Sequence, residues 1–317
     1  MGTIALKSVE QVEVTTLMDN YIDILLESTS TVRRPPLAKE GRIPTDSLVA
    51  EHGLSLLVKT LGGGAVHTIL LDTGYNAGSL MHNMAWLGTD LSAIEALVIS
   101  HSHMDHAGAL YPLVEKIQRP IPLVAHPDIF ARLRILKTKD GREVRFPACY
   151  DRERLVSAGI ELLESREPTA IAGDTILVTG EVARTTDFEK GMPGAYMEKD
   201  RQLQPDPIMD DQSLIVHLQG KGLVLITGCC HAGIINTIRY AQKITGMAEV
   251  YAVLGGLHLS GPSFAPIVER TIEELQRIHP EVIVPMHCTG WESTKRLAEA
   301  FKQGFVLNSV GTTYVLG

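Results

Sequence analysis

The segment His101-Ser102-His103-Met104-Asp105-His106 constrains this chain most. It gathers three imidazoles and a carboxylate between the apolar, β-branched run IEALVIS and a stretch of helical spacing that begins at Ala107. A strand ending at His101 holds that side chain on rigid backbone. The i, i+2 alternation turns His101 and His103 to the same side, and the turn into the helix carries Asp105 and His106 toward a second position. Imidazole nitrogens and a carboxylate suit Zn²⁺, Fe or Mn²⁺, and two such ions roughly 3.5–4 Å apart can hold a hydroxide between them. A structural zinc site would lean on cysteine instead, and surface histidines gathered by chance would lack the strand context.

Around this cluster the chain reads as strands followed by helices, twice over. QVEVTTLMD, GLSLLVKT and HTILLDTG are β-like runs joined by hairpins, with Gly62-Gly63-Gly64 at one tip. Helical spacing follows over 77–88 and from Ala107 to Gln118. The second block runs through TILVTG, SLIVHLQGKGLVLITG, a helix over 233–246 and EVYAVLGG. A helix over 263–278, the run VIVPMHCTG, a helix over 291–303 and a closing strand VGTTYVLG complete it. Two such blocks predict an α/β four-layer αββα sandwich, with two mixed sheets packed face to face and helices outside. A doubly wound sheet is the alternative, but the strand ends DTG and TGCC lack a dinucleotide fingerprint. Residues 132–170 and 184–212, rich in Arg, Lys, Pro and Asp, are expected to be surface insertions in a single domain spanning 1–317.

Of the 317 residues 44% are hydrophobic and 21% charged, so a sizeable core is available. The net charge of -8, with Lys and Arg scattered, excludes the basic stripe that nucleic-acid binding needs. A small anionic substrate stays open, because metal ions can supply local positive charge. The four cysteines show no disulfide spacing and point to a reducing cytoplasm. The opening residues lack the apolar core of a signal peptide, and no apolar run approaches the ~18 residues of a membrane span. A homodimer is the expected oligomer, as the commonest one.

Further donors follow later β-runs. His231 lies after LITGCC on the opening turn of an expected helix and is read as a ligand, since imidazole is the commonest metal ligand. His258, in VLGGLHLSG, could be a ligand, a general acid or a buried core histidine. His52, in AEHGLSLLV, reads first as structural, with lining the pocket as the other choice. Cys229 and Cys230 read first as buried apolar residues.

HSHMDHAGAL resembles the His-x-His-x-Asp-His signature of the metallo-β-lactamase superfamily, and the preceding LLDTG resembles that family's Asp-Thr-Gly strand end. The resemblance implies metal ligands His101, His103, Asp105, His106 and, near the C-terminus, His287. It makes Asp72 a supporting acid. The family presents a bridging Asp where this chain has Cys229 after Thr227-Gly228, which leaves open whether Cys229, His231 or a carboxylate from elsewhere completes the centre. The expected activity is metal-dependent hydrolysis of a phosphate ester, phosphodiesterase-like, by a hydroxide bridging two divalent ions, zinc first and Fe or Mn as alternatives. Asp105 and His258 are the expected catalytic side chains. Lactone or thioester hydrolysis is a second expectation, and a non-catalytic metal-binding protein another. Within the superfamily, EHGLSLLV, TGCCHAGIINTI, GGLHL and HCTG resemble the branch labelled dihydropterin ribofuranosyl-aminobenzene phosphate synthase-like, which implies a pterin-related, phosphorylated substrate and a phosphoribosyl transfer.

Overall fold

Strict alternation of apolar side chains decides the architecture. In Ser55–Gly62, Leu56 and Val58 face one core and Leu57 another; in Ala65–Leu71, Ile69 and Leu71 oppose Leu70 in the same way. Gly222–Thr227 repeats the pattern, with Val224 and Ile226 on one side and Leu223 and Leu225 on the other. A strand buried on both faces needs a layer on each side. The protein, described by a computed structural model over residues 2–38 and 41–317, supplies those layers.

The first sheet has the order Ile160–Glu164, Ile121–Ala125, Ala96–Val98, Ala65–Leu71, Ser55–Gly62, Gln11–Met18, Thr313–Leu316 and Val32–Arg33. The second runs Thr169–Ile171, Ile176–Val178, Ser213–Leu218, Gly222–Thr227, Val250–Gly256 and Val282–Met286, with Ser8–Val9 beside Ser213–Leu218. Val12, Val14, Leu56 and Ile69 meet Val178, Leu214, Val224 and Leu254 between the sheets. Helices α1 (Ala77–Trp86), α2 (Met104–Ala107) and α3 (Leu110–Ile117) follow strands of the first sheet and α4 (Arg152–Ser157) precedes its strand Ile160–Glu164; α1, α3 and α4 bury Leu80, Leu113 and Leu155 against its outer face. Helices α5 (Ile234–Thr245), α6 (Val268–Ile278) and α7 (Trp291–Ala300) bury Ile238, Leu275 and Leu297 against the second. This is the αββα sandwich expected from the sequence.

Several boundaries differ from expectation for local reasons. The helix expected from Ala107 to Gln118 is broken at Gly108, whose N–H donates to Gly74 O at 2.8 Å. A Cβ at Gly108 would collide with the Tyr75 carbonyl, so chain crowding holds the break. The helix expected over 263–278 becomes regular only at Val268, after a short 3-10 turn, Ala265–Ile267, that holds Pro266. The segment expected as one insertion over 132–170 rejoins the main layers, since Ile160–Glu164 pairs with Ile121–Ala125 in the first sheet. Its first part meets the 184–212 segment in a separate four-stranded sheet, ordered Gln202–Pro205, Ala195–Lys199, Arg134–Lys137 and Glu143–Phe146. Among the described residues no helix is long and apolar enough to cross a membrane.

The parallel part of each sheet positions the site. Ala65–Leu71, Ala96–Val98 and Ile121–Ala125 run parallel, as do Gly222–Thr227, Val250–Gly256 and Val282–Met286. Asp72 and the histidine segment follow the first two strands of one set, and Cys229, His258 and His287 follow the three strands of the other.

The 184–212 segment is pinned to α5 by Glu189, whose carboxylate accepts from Ile235 N at 2.9 Å and Asn236 N at 2.8 Å. Burial outweighs these bonds and pushes Glu189 up to about 7 from 4.5. A carboxyl raised on folding contributes stability below its unfolded value, and that contribution is lost as pH rises through the folded value. The unfolding free energy from urea titrations of chelator-treated protein is therefore expected to fall more steeply between pH 5 and 8 in wild type than in Glu189→Gln. Equal slopes would remove Glu189 as the source.

Candidate metal centre

Asp72 begins the site. Ser100 N–H and Ser100 Oγ–H each donate to its carboxylate at 2.7 Å, and His106 Nδ1–H donates at 2.6 Å. His101 Nδ1–H in turn donates to Ser100 Oγ at 2.9 Å. His287 Nδ1–H donates to Asn20 Oδ1 at 3.0 Å, while His287 N–H donates to Asp19 at 2.8 Å. In His101, His106 and His287 one ring nitrogen is thus fixed by a hydrogen bond, which sets the tautomer and leaves Nε2 facing the shared space.

That space is small and crowded with donors. The His101 ring centroid lies 4.5 Å from His103, 4.3 Å from His106 and 4.8 Å from His231; His103 and His231 are 4.9 Å apart. Asp105 Oδ2 is 3.1 Å from His287 Nε2 and 3.9 Å from His106 Nε2. Donor atoms of Asp105, His106, Cys229 and His287 all lie within 4.8 Å of one another, as do those of His101, Cys229 and His231. Cys229 Sγ belongs to both groups and sits 3.1 Å from His106 Nε2. A third group joins Cys229 to His258 and Cys288.

Metal ions fit these residues. His101 Nε2 and both ring nitrogens of His231 are buried without a hydrogen-bond partner among the described residues, a costly state that ligation would relieve at His101 and at one nitrogen of His231, and His258 Nδ1 is unpartnered as well. Burial, reinforced by the surrounding imidazoles and a nearby arginine, holds His101 and His231 well below the usual histidine range. Burial lowers His103 to about 4, against the pull of Asp105 and Asp210. These rings are neutral at neutral pH with a lone pair to offer. Burial also opposes charge on His106, yet Asp72 and Asp105 overcome it and raise that group to about 9. For Asp105 burial is outweighed by His106 and His287, which hold it well below the usual carboxylate range.

His258 is set slightly apart, its ring 4.0 Å from His231 and 4.7 Å from Phe264. His52 stands at the mouth with an exposed side chain, its ring 4.8 Å from His287 and its Nε2 3.4 Å from Asp105. The sequence reading missed several contributors. Phe146 from the small sheet stacks on His103 at 4.6 Å and 8°. Asp210 accepts from Ser102 N at 3.0 Å, Gln212 Nε2 donates to Ile99 O at 2.8 Å, and Asp211 accepts from Ala232 N beside His231 at 2.9 Å. The pair Asp210-Asp211, one residue before the apolar run SLIVHL, was the available signal. Asp19 and Asn20, at the end of the first long strand, were a second.

Backbone conformation marks the same places. Asp72, Cys230, His258 and His287 all have positive φ, at 60°, 63°, 45° and 48°. Each costs on the order of 1 kcal/mol in a non-glycine residue. Gly228 allows the two sheets to close here, since a Cβ would collide with the Ser100 side chain and lie 3.0 Å from Asp72 Oδ2.

A sandwich of two sheets with a histidine-rich rim between parallel strand ends defines a class of metal-site proteins. The chain belongs to the metallo-β-lactamase superfamily, whose family model matches residues 50–179. It is 31% identical over 264 residues to the 7,8-dihydropterin-6-methyl-4-(beta-D-ribofuranosyl)-aminobenzene-5'-phosphate synthase of Methanocaldococcus jannaschii, covering 81% of this chain and 87% of that one. An uncharacterised protein of the same organism is 32% identical over 262 residues, covering 83% and 92%. Among solved structures, a metal-dependent hydrolase of the β-lactamase superfamily matches with a TM-score of 0.70 at 21% identity over 95% of this chain and 98% of that chain. The metallo-β-lactamase fold protein YhfI from Bacillus subtilis matches with a TM-score of 0.50 at 11% identity over 96% and 99%. Both likenesses concern the fold.

Arg134 holds the supporting wall, with Nη1 2.9 Å from Asp206 and Nη2 2.8 Å from Asp210, all three buried. Arg134→Ala would strand two buried carboxylates and is expected to cost about 3–5 kcal/mol in urea unfolding. A loss below 1 kcal/mol would show that the pair is solvated.

Proposed function

We propose that this protein is a metal-dependent hydrolase that cleaves a phosphate ester at a centre of two divalent ions, with zinc favoured over iron or manganese. The carrying observation is the pair of donor groups that share Cys229 Sγ and contain buried imidazole nitrogens without partners. His101, His103 and His231 would hold one ion, and Asp105, His106 and His287 the other. Cys229, whose Sγ belongs to both donor groups, would stand where the family presents a carboxylate. When bound, such ions supply Lewis acidity toward a phosphoryl oxygen and lower the pKa of water.

The chain's own residues orient and neutralise. Asp72, Ser100, Asn20 and Asp19 fix the ligand rings, so little reorganisation is needed when substrate binds. A net charge of -8 gives an anionic substrate no general attraction, so its recognition must come from the centre itself. His258, whose ring lies 4.0 Å from that of His231 and whose Nδ1 has no partner among the described residues, would donate a proton to the leaving oxygen. The phosphate reading also draws on the relative whose name ends in 5'-phosphate synthase. That likeness favours one second reading, transfer involving a pterin-related phosphoribosyl substrate. It predicts consumption of a phosphoribosyl donor only when an arylamine acceptor is present.

Elemental analysis and turnover of bis-p-nitrophenyl phosphate test the centre together. Wild type is expected to carry about two ions per chain, and Asp105→Ala with His106→Ala to lose one ion and turnover. One ion or none in wild type, or equal turnover in both proteins, would refute it. Asp72→Asn is expected to weaken metal binding roughly 10- to 100-fold in chelator competition. His258→Ala is expected to keep its metal and lose about 10²–10⁴-fold in turnover. Full turnover with full metal content would end the proton-donor role.

A further inference from the structure

Beside the centre lies a cavity of about 230 Å³, walled by Phe188, Leu257, Leu259, Phe264 and Ile267. His231 and His258 form part of its lining, so cavity and donor cluster are continuous. Its polar wall groups are largely spoken for. Both oxygens of Glu189 accept backbone N–H groups of α5, and Lys190 Nζ donates to Thr186 O at 3.1 Å. Among the described residues, the buried side-chain polar atoms of this wall without a hydrogen-bond partner are ring nitrogens of the two histidines, at the end next to the centre, while Ser263 is exposed to solvent. The aromatic walls are held in place. The Arg270 guanidinium lies over the Phe188 ring at 4.5 Å and is itself clamped by both oxygens of Asp187, while Phe264 meets His258 edge to face at 88°.

We propose that this cavity binds an aromatic or similarly planar apolar group carried by the substrate, and that Phe264, Phe188 and Ile267 set that preference. The proposal rests on the phosphate-ester reading for the other end of the molecule. The size fits: an apolar cavity of about 150 Å³ suffices for benzene, so this one admits a substituted ring or a bicyclic group. The polarity fits as well, since an apolar ring displaces no needed hydrogen bond from these walls, whereas a sugar or a charged chain would leave its own polar groups unpaired. With the ring seated, a phosphate attached to it reaches the histidine end, where His258 stands between cavity and centre.

Calorimetric binding of non-hydrolysable phosphonates to the metal-loaded protein provides the test. Wild type is expected to bind 1-naphthylphosphonate at least about tenfold more tightly than methylphosphonate, from burial of the ring. Phe264→Ala and the cavity-filling Ile267→Trp should each shrink that ratio severalfold. An unchanged ratio in both variants, or equal affinity of wild type for the two phosphonates when both bind, overturns the subsite. Binding of neutral 2-naphthol, followed by ligand-observed NMR, separates this from failure of the phosphate reading. If no phosphonate binds but 2-naphthol binds wild type and not Ile267→Trp, the phosphate reading falls and the subsite stands. If 2-naphthol binds both proteins equally or neither, the subsite falls.

Discussion

Three hydrogen bonds onto Asp72 tie the ends of two paired strands to the turn that carries the histidines. Its carboxylate is fully buried and accepts from Ser100 twice and from His106 once, joining the end of one parallel strand to the end of the next and to the turn beyond. A buried carboxylate is unfavourable unless its lone pairs are occupied, and here the groups that occupy them are those that aim His101 and His106. Gly228 keeps the facing sheet close enough for Cys229 to enter the same space. The orientation of the rings therefore follows from satisfying one acid.

The second sheet contributes through its strand ends, and it does so with strain. Cys230, His258 and His287 take left-handed backbone conformations just after their strands. Each is held by dense surroundings: the His287 backbone N–H by Asp19, the Leu257 N–H by Thr289 Oγ1 at 3.0 Å, and Cys230 by α5 packing around it. Such turns swing the following side chain back over the sheet rim, which an extended continuation would not do. Local stability is given up at positions where donor atoms must point inward.

The layered fold was legible because the chain runs from strands to helices twice over, which favours two packed sheets, and because the strand ends DTG and TGCC lack the fingerprint of a doubly wound sheet. The HSHMDH segment was legible because its residues lie within six positions, and strand-end donors such as His231, His258 and His287 each follow an apolar run. The meeting of Cys229 with both donor groups was not legible, since it depends on the distance between two sheets, a long-range quantity no local pattern encodes. Nor was Phe146 on His103. It arrives by pairing of Arg134–Lys137 with both Glu143–Phe146 and Ala195–Lys199, segments whose weak periodicity read as surface wandering. Arg134 illustrates the same gap, because its carboxylate partners lie more than 70 positions away.

The small four-stranded sheet has a separate history available to it. It hangs from the 132–146 and 195–205 segments, and its contact with the donor rim is made through Phe146 against His103 and through the Arg134 pairs to Asp206 and Asp210. The sandwich strands and the ligand-bearing turns run through other parts of the chain. Insertions or exchanges in this arm that spare Phe146, Arg134 and Asp206 would reshape its outer strands while leaving the donor rim in place. A chain built this way can change the molecules it admits by altering a canopy, with the chemistry beneath inherited whole.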